Sequence, residues 1–266
     1  MNELSLKDKQ AVIFGAGGSV GSAVAQALAA HGAAVYLSGR RRANLQQTAA
    51  AIRQAGGSAP AVELDAADEA AVAEYLAAVL QTSGQLDIVV NAMGLEPPAY
   101  GSSTSALELS LEQFRLPLDT LVTSQFITAR AAARYMVRQH SGVILFITAI
   151  PARGLPNSAA IGSAFGAVES LLRCLAAELG PQGVRVVGIR SGAMVDSHTI
   201  QATVERTARQ LAVAPAQVVA QYEQRTLLKR LATVADTAGL AAFLASDAAR
   251  MLTGAIVNAS GGAVMD

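Results

Sequence analysis

Residues 11–21 read AVIFGAGGSVG, a short apolar strand that runs into four glycines and then into an alanine-rich helix. The order of residue types makes this stretch a cradle for the phosphates of a dinucleotide. Gly15 permits a tight turn, Gly17 and Gly18 let backbone amides approach a pyrophosphate with no Cβ in the way, and Gly21 lets the helix pack close to the sheet. Ser19 and Val20 open the helix, whose N-terminal amides face the negative charge. Glycine-rich turns of this kind also occur empty, and it is the strand–helix–strand pattern around this one that favours the cradle.

Working outward, short β-branched runs alternate with longer alanine and leucine periodic stretches, the pattern of a doubly wound parallel α/β sheet with helices on both faces. Strands are expected at 11–14, 34–38, 59–64, 87–91, 143–148, 184–189 and 255–259, which makes about seven. Helices are expected at about 19–31, 43–55, 68–81, 111–140, 158–179 and 234–246. Ser110 with Gln113 forms a capping box ahead of the long fourth helix, Asp68 and Glu69 favour the start of the third, and Gly180 with Pro181 stops the fifth. Residues 191–230 break the alternation with an irregular segment and two polar helical patterns, a composition that suits a substrate-covering insertion in a single domain spanning 1–266.

With 266 residues, 52% of them hydrophobic, the chain buries a full core as one domain. Twenty Lys and Arg balance twenty Asp and Glu, so nothing in the charge favours nucleic acid or an anionic membrane surface; a small-molecule partner is the expectation. The lone Cys174 lies in an apolar helical stretch, LLRCLAAELG; it has no internal disulfide partner and is expected in the core rather than at work as a nucleophile. The opening MNELSLKDKQ lacks a signal-peptide core, and no run of about 18 apolar residues is evident, so a soluble cytoplasmic protein is expected.

The second strand ends as AAVYLSGRRR, about twenty residues beyond the glycine turn, where a carboxylate accepts the adenosine ribose hydroxyls in NAD-binding folds. Gly39 stands there instead. Ser38, Arg40 and Arg41 around it suit the 2′-phosphate of NADP, the other reading being a solvated basic cluster at a helix start. Asp65, with Ala66, closes the third strand, where its carboxylate either accepts an adenine amino group or caps a turn.

These features resemble the family of short-chain dehydrogenases and reductases along almost the whole chain. The family's TGxxxGxG turn matches FGAGGSVG, with Phe14 for Thr and Ser19 for the middle Gly, and its NNAG strand end matches Asn91, Ala92, Met93 and Gly94. SGVILFIT is similar to the strand carrying the catalytic Ser. LAAELGPQGVRVVGIRSG is similar to the helix and strand leading to the PG turn, here Ser191 and Gly192, and FLASDAARMLTGAIVNASGG to the C-terminal segment. The resemblance implies a Rossmann-type fold and a homodimer or homotetramer, and the basic end of the second strand makes NADP(H), preferred over NAD(H), the expected cofactor.

It also implies a catalytic group of Asn, Ser, Tyr and Lys, and here this chain departs. Aligning IGSAFGAVESL with the family's YxxxK helix puts Ile161 at the Tyr and Phe165 at the Lys; a shift by one gives Gly162 and Gly166. Thr148 keeps a hydroxyl at the Ser position, where it would orient substrate, and the Asn falls at about Leu121. An apolar side chain transfers no proton, so the family's ketone reduction is expected to be severely impaired. Tyr100, Asp196 and His198 are the other acids in loops at the same sheet edge, each also readable as an exposed loop side chain; Arg153 and Asn157 either hold a polar substrate or fix their loop. His31 and His140 end helices, where the dipole accounts for them, and no spacing of His, Cys, Asp and Glu suggests a metal site. Three functions stay open: an NADP(H)-dependent oxidoreductase with a non-standard site acting on a carbonyl or imine, a non-catalytic nucleotide-binding or partner subunit, and a non-redox enzyme reusing the apolar pocket.

Overall fold

The structure, a computed structural model, describes residues 4–266. Seven parallel strands form one sheet: β1 (Gln10–Phe14), β2 (Ala34–Gly39), β3 (Ala61–Glu63), β4 (Ile88–Asn91), β5 (Gly142–Ala149), β6 (Val184–Ser191) and β7 (Ile256–Ala259). Their spatial order is β3-β2-β1-β4-β5-β6-β7. The chain therefore winds outward from β1 in one direction and from β4 in the other. The order reverses between these two strands, so a crevice opens at their C-terminal ends, where ligands of doubly wound sheets bind.

Both faces of the sheet are covered. Along β1, Ala11 and Ile13 pack under α1 (Ser19–Ala30), α2 (Arg42–Gln54) and α9 (Val234–Ala245), while Val12 and Phe14 pack against α3 (Glu69–Ser83), α5 (Thr123–Gln139) and α6 (Ala159–Leu179). Strands buried on both sides read as continuous apolar runs, which is why VIF and DIVV were legible as strands. The helices start where the side chains say: Asp68 accepts from the Ala71 amide at the head of α3, and Ser110 and Gln113 close a capping box on α4 (Leu111–Pro117).

Three readings need correction. The helix expected over 111–140 is interrupted: Pro117 has no N–H to give, and a turn of π-helix over Leu118–Val122 separates α4 from α5. The fifth helix does end at Leu179 with Gly180 as its cap, as expected; a turn of 3-10 helix follows, and the chain turns left-handed at Gly183, with φ +82°. Cys174 is exposed rather than in the core, because α6 buries Val168, Leu172, Leu175, Ala176 and Leu179 and Cys174 lies off that stripe. The same α6 is long and apolar enough, by length and composition, to cross a membrane, which inspection of the sequence overlooked. In the fold it packs its apolar stripe on the sheet and carries the buried Glu169 inward. The insertion forms α7 (His198–Leu211) and α8 (Pro215–Gln224).

Candidate functional site

The glycine turn sits at the C-terminal end of β1, in the crevice beside β4. Gly15 has φ +83°, and a Cβ there falls 2.7 Å from the Ala92 carbonyl oxygen; a Cβ on Gly21 falls 2.2 Å from the Gly15 carbonyl oxygen. Both positions are closed to any side chain. Gly18 caps α1 without a side-chain bond, which leaves the first amides of the helix, at Ser19, Val20 and Gly21, with no partner inside the helix. From α2, Asn44 Nδ2 donates to the Gly17 carbonyl at 3.1 Å and Thr48 Oγ1 to the Ala16 carbonyl at 3.1 Å, and the Gly15, Ala16 and Gly18 amides donate to the Ser38 and Gly15 carbonyls, so the turn itself is tied down and the amides left to an anion are those that open the helix. A shallow hollow lined by Gly17, Gly18, Ser19 and Ser22 adjoins it. A cradle that a Cβ would fill, with a bare helix N-terminus at its rim, fits a dinucleotide phosphate. Gly15→Ala is expected to cost about 1–3 kcal/mol, the strain of a left-handed backbone that alanine tolerates poorly. A denaturant midpoint unchanged from the parent would refute that.

The remaining cofactor-side residues divide. Arg40 and Arg41 are exposed at the end of β2; Arg41 pairs with Glu96 at 3.7 Å, and Arg40 makes no ion pair among the described residues. Ser38 does not join them. It is fully buried, and its hydroxyl donates to the Ile13 carbonyl at 3.3 Å, because its place in β2 turns it toward β1. Asp65 is exposed and accepts from the Ala67 amide at 3.0 Å, an Asx turn of the capping kind, with Ala66 half-buried behind it. Asn91 is buried and accepts from Thr128 of α5 at 2.8 Å, and its Nδ2 has no partner. Ala92 and Met93 are half-buried beyond it, and a Cβ on Gly94 meets open space. Ser191 is engaged inside the sheet, donating to the Thr148 carbonyl at 3.0 Å, and Gly192 lies against Ser260.

The residues that the resemblance sets against the family's catalytic group lie in an apolar cluster. Leu121, Ile161 and Ala164 are buried together with Tyr100, and Phe165, Met93 and Phe114 pack against them. A Cβ on Gly162 meets the Pro151 carbonyl oxygen at 2.7 Å, so no side chain fits at the position given by the shifted alignment. Thr148, expected to face substrate, is 1% exposed, and its hydroxyl donates to Glu169 Oε1 at 3.1 Å. Its group is engaged inside the fold because Glu169 enters from α6 to pair with Arg190 of β6.

The other candidate acids fare differently. Tyr100 is not an exposed loop residue: it is 8% exposed in the apolar cluster, and burial raises its pKa, partly offset by a hydrogen bond with Ser102 and by the charge of Arg206. Asp196 accepts from the Val234 amide at 2.9 Å at the head of α9, a structural use. His198, the first residue of α7, is exposed, and its backbone amide donates to Ser19 Oγ at 3.1 Å. Arg153 and Asn157 are exposed on the loop after β5, with no side-chain hydrogen bond among the described residues. His31 and His140 are the C-caps of α1 and α5.

Sequence reading missed Arg206. From the middle of α7 its Nη2 donates to Ser102 Oγ at 3.2 Å, in the loop after β4. Helix α7 is thus tied at its start to the glycine turn and at mid-length to that loop, and so bridges the crevice between β1 and β4. Nothing in the sequence distinguishes Arg206 from the other arginines of the insertion.

A family model described as enoyl-(acyl carrier protein) reductase matches residues 15–264. A short-chain reductase protein of Streptomyces niveus, NovJ, is 30% identical over 256 residues, 96% of this chain and 94% of that one. The chain belongs to the short-chain dehydrogenase/reductase family. The 7alpha-hydroxysteroid dehydrogenase of Escherichia coli strain K12 is 29% identical to this short-chain dehydrogenase/reductase over 266 residues, covering 100% of this chain and 98% of the enzyme. The solved structure of NAD+-bound xylitol dehydrogenase superposes with a TM-score of 0.89 at 28% identity, covering 96% of this chain and 99% of the other. Family and fold are those of oxidoreductases that use a nicotinamide cofactor.

Proposed function

We propose that this short-chain dehydrogenase/reductase binds NADP(H) in the crevice and serves as an oxidoreductase for a carbonyl or imine substrate without the family's Tyr and Lys. The observation that carries the reading is the glycine cradle with its uncapped helix N-terminus, next to a β2 end that has no carboxylate of its own and offers Arg40, with no ion pair among the described residues, beside Arg41 paired with Glu96. When bound, the nicotinamide supplies or accepts a hydride. The chain's own residues hold the phosphates on the amides of Ser19–Gly21, place Arg40 at the ribose phosphate, and present the floor of Leu121, Ile161 and Phe165, which keeps water out. An iminium carbon suits such a floor: it becomes a neutral amine on gaining a hydride, with no proton to be drawn from a side chain.

Calorimetric titration of the nucleotide-free protein with NADPH, and with NADH beside it, tests the cofactor. Tighter NADPH binding is expected, and Arg40→Ala is expected to weaken NADPH roughly tenfold or more while leaving NADH unchanged, since it removes a charge-assisted contact to a phosphate that NADH lacks. Equal weakening of both removes the assignment. NADPH oxidation is then followed across ketones, imines and activated alkenes. A second reading, a non-catalytic nucleotide-binding or partner subunit, is favoured by the same cluster, because Leu121, Ile161 and Phe165 pack as a core does. A homo-oligomer with its own turnover excludes it.

A further inference from the structure

We propose that Arg206, Ser102 and Tyr100 form a subsite that binds the carboxylate of an apolar carboxylic acid lying over the cluster of Leu121 and Ile161. The proposal deepens the reading above, in that it takes this cluster as the floor of the substrate pocket. Arg206 Nε is buried and has no acceptor, and the residue makes no ion pair among the described residues. A guanidinium so placed leaves one desolvated donor without a partner, a state that an incoming anionic oxygen relieves. Nη2 donates to Ser102 Oγ, which restrains the plane of the guanidinium, and the buried Nε–H without an acceptor lies along the same edge of that plane. Guanidinium donors in one plane match the two oxygens of a carboxylate.

Tyr100 supplies the second side of the subsite. Its ring belongs to the apolar cluster, and its hydroxyl is within reach of Ser102. Burial keeps the phenol protonated, so it is a donor and adds no negative charge of its own. Charge selects carboxylate over phosphate. One guanidinium is present, and Glu96 also bears on Tyr100, so a single negative charge is matched and a dianion is not. The apolar floor sets the rest of the ligand as a hydrocarbon or aromatic body.

The test is binding of butyrate, benzoate and cinnamate, each against its primary amide, and of phenyl phosphate, to nucleotide-free and NADPH-loaded protein, read by ligand-observed NMR and thermal shift. Saturable binding of benzoate or cinnamate, with the amides at least tenfold weaker, is expected. Arg206→Gln is expected to weaken the acids at least tenfold and the amides not at all; Arg206→Lys, which keeps charge and stem but not the fork, falls between. Circular dichroism and the NADPH titration show that each variant is folded. Acids and amides that bind alike, acids that fail to bind, or an Arg206→Gln protein that holds benzoate within twofold of the parent overturn the proposal, and tighter phenyl phosphate overturns the choice of carboxylate. Because NADPH is titrated separately, loss of the acid site and failure of the cofactor reading give different results.

Discussion

Replacing Glu169 by alanine is expected to lower the free energy of unfolding by about 3–5 kcal/mol, the usual cost of leaving a buried charge without its partner. Arg190 is 2% exposed and holds Glu169 through two parallel bonds, Nε to Oε1 and Nη2 to Oε2, each 2.8 Å. The hydrogen bonds to Glu169 hold the guanidinium pKa well above its ordinary value against the opposing effect of burial. Removing the carboxylate strands the cation in the sheet and leaves Thr148 Oγ1 only its longer bond to the Ile189 carbonyl, at 3.4 Å. Asp266 also contacts Arg190 and retains part of the charge balance, so the loss belongs at the lower end of the range. Removing both charges is a different case. The double change Glu169→Leu with Arg190→Met, which fills the space with apolar volume, is expected to restore stability to within about 1 kcal/mol of the parent, because an ion pair in a low-dielectric interior roughly balances its own desolvation. Urea unfolding of the parent, both single variants and the double variant measures the coupling directly. A single-variant loss below about 1 kcal/mol shows that water reaches the pair.

The contrast between what was and was not legible has a physical basis. The glycine turn and the strand pattern were readable because they are local: a left-handed turn at Gly15 and strands buried on both faces leave marks within a few residues. The orientation of single side chains is not local. Ser38 and Thr148 were expected at cofactor and substrate, yet one turns to β1 and the other to Glu169, because the facing element decides what a hydroxyl meets. Glu169 itself reads as an ordinary helical glutamate in GAVESLL, and Arg190 as a charge in an apolar strand; only their packing joins them. Tyr100 and Arg206 lie over a hundred residues apart and meet around Ser102, since α7 crosses back over the loop after β4. That Leu121, Ile161 and Phe165 are apolar where the resemblance expects a proton relay was legible residue by residue. So was an apolar floor there; that Tyr100 and Phe114 pack into it was not.

That cluster makes the double change Ile161→Tyr with Phe165→Lys the most demanding probe of the site. A positioned general acid contributes roughly 10²–10⁴ in rate. If Ile161 and Phe165 stand at the reacting end of the crevice, NADPH-dependent ketone reduction is expected to rise by about that factor in the double variant. Either substitution alone is expected to give far less, because a phenol without a cation beside it keeps its proton too tightly and a lysine without the phenol has none to place. The structure sets the cost. Ile161 is 8% exposed against Leu121 and Tyr100, so the larger ring overpacks the cluster at about 1–3 kcal/mol, whereas Phe165 is half-buried and gives its lysine a route for the ammonium to water. Thermal unfolding and the NADPH titration are read alongside the rate, so a fold that gives way is not mistaken for a wrong alignment. A folded double variant that binds NADPH and still leaves ketones untouched would mean that Ile161 does not face the nicotinamide. The apolar cluster would then be core, and the reading as a non-catalytic subunit would take precedence over the oxidoreductase.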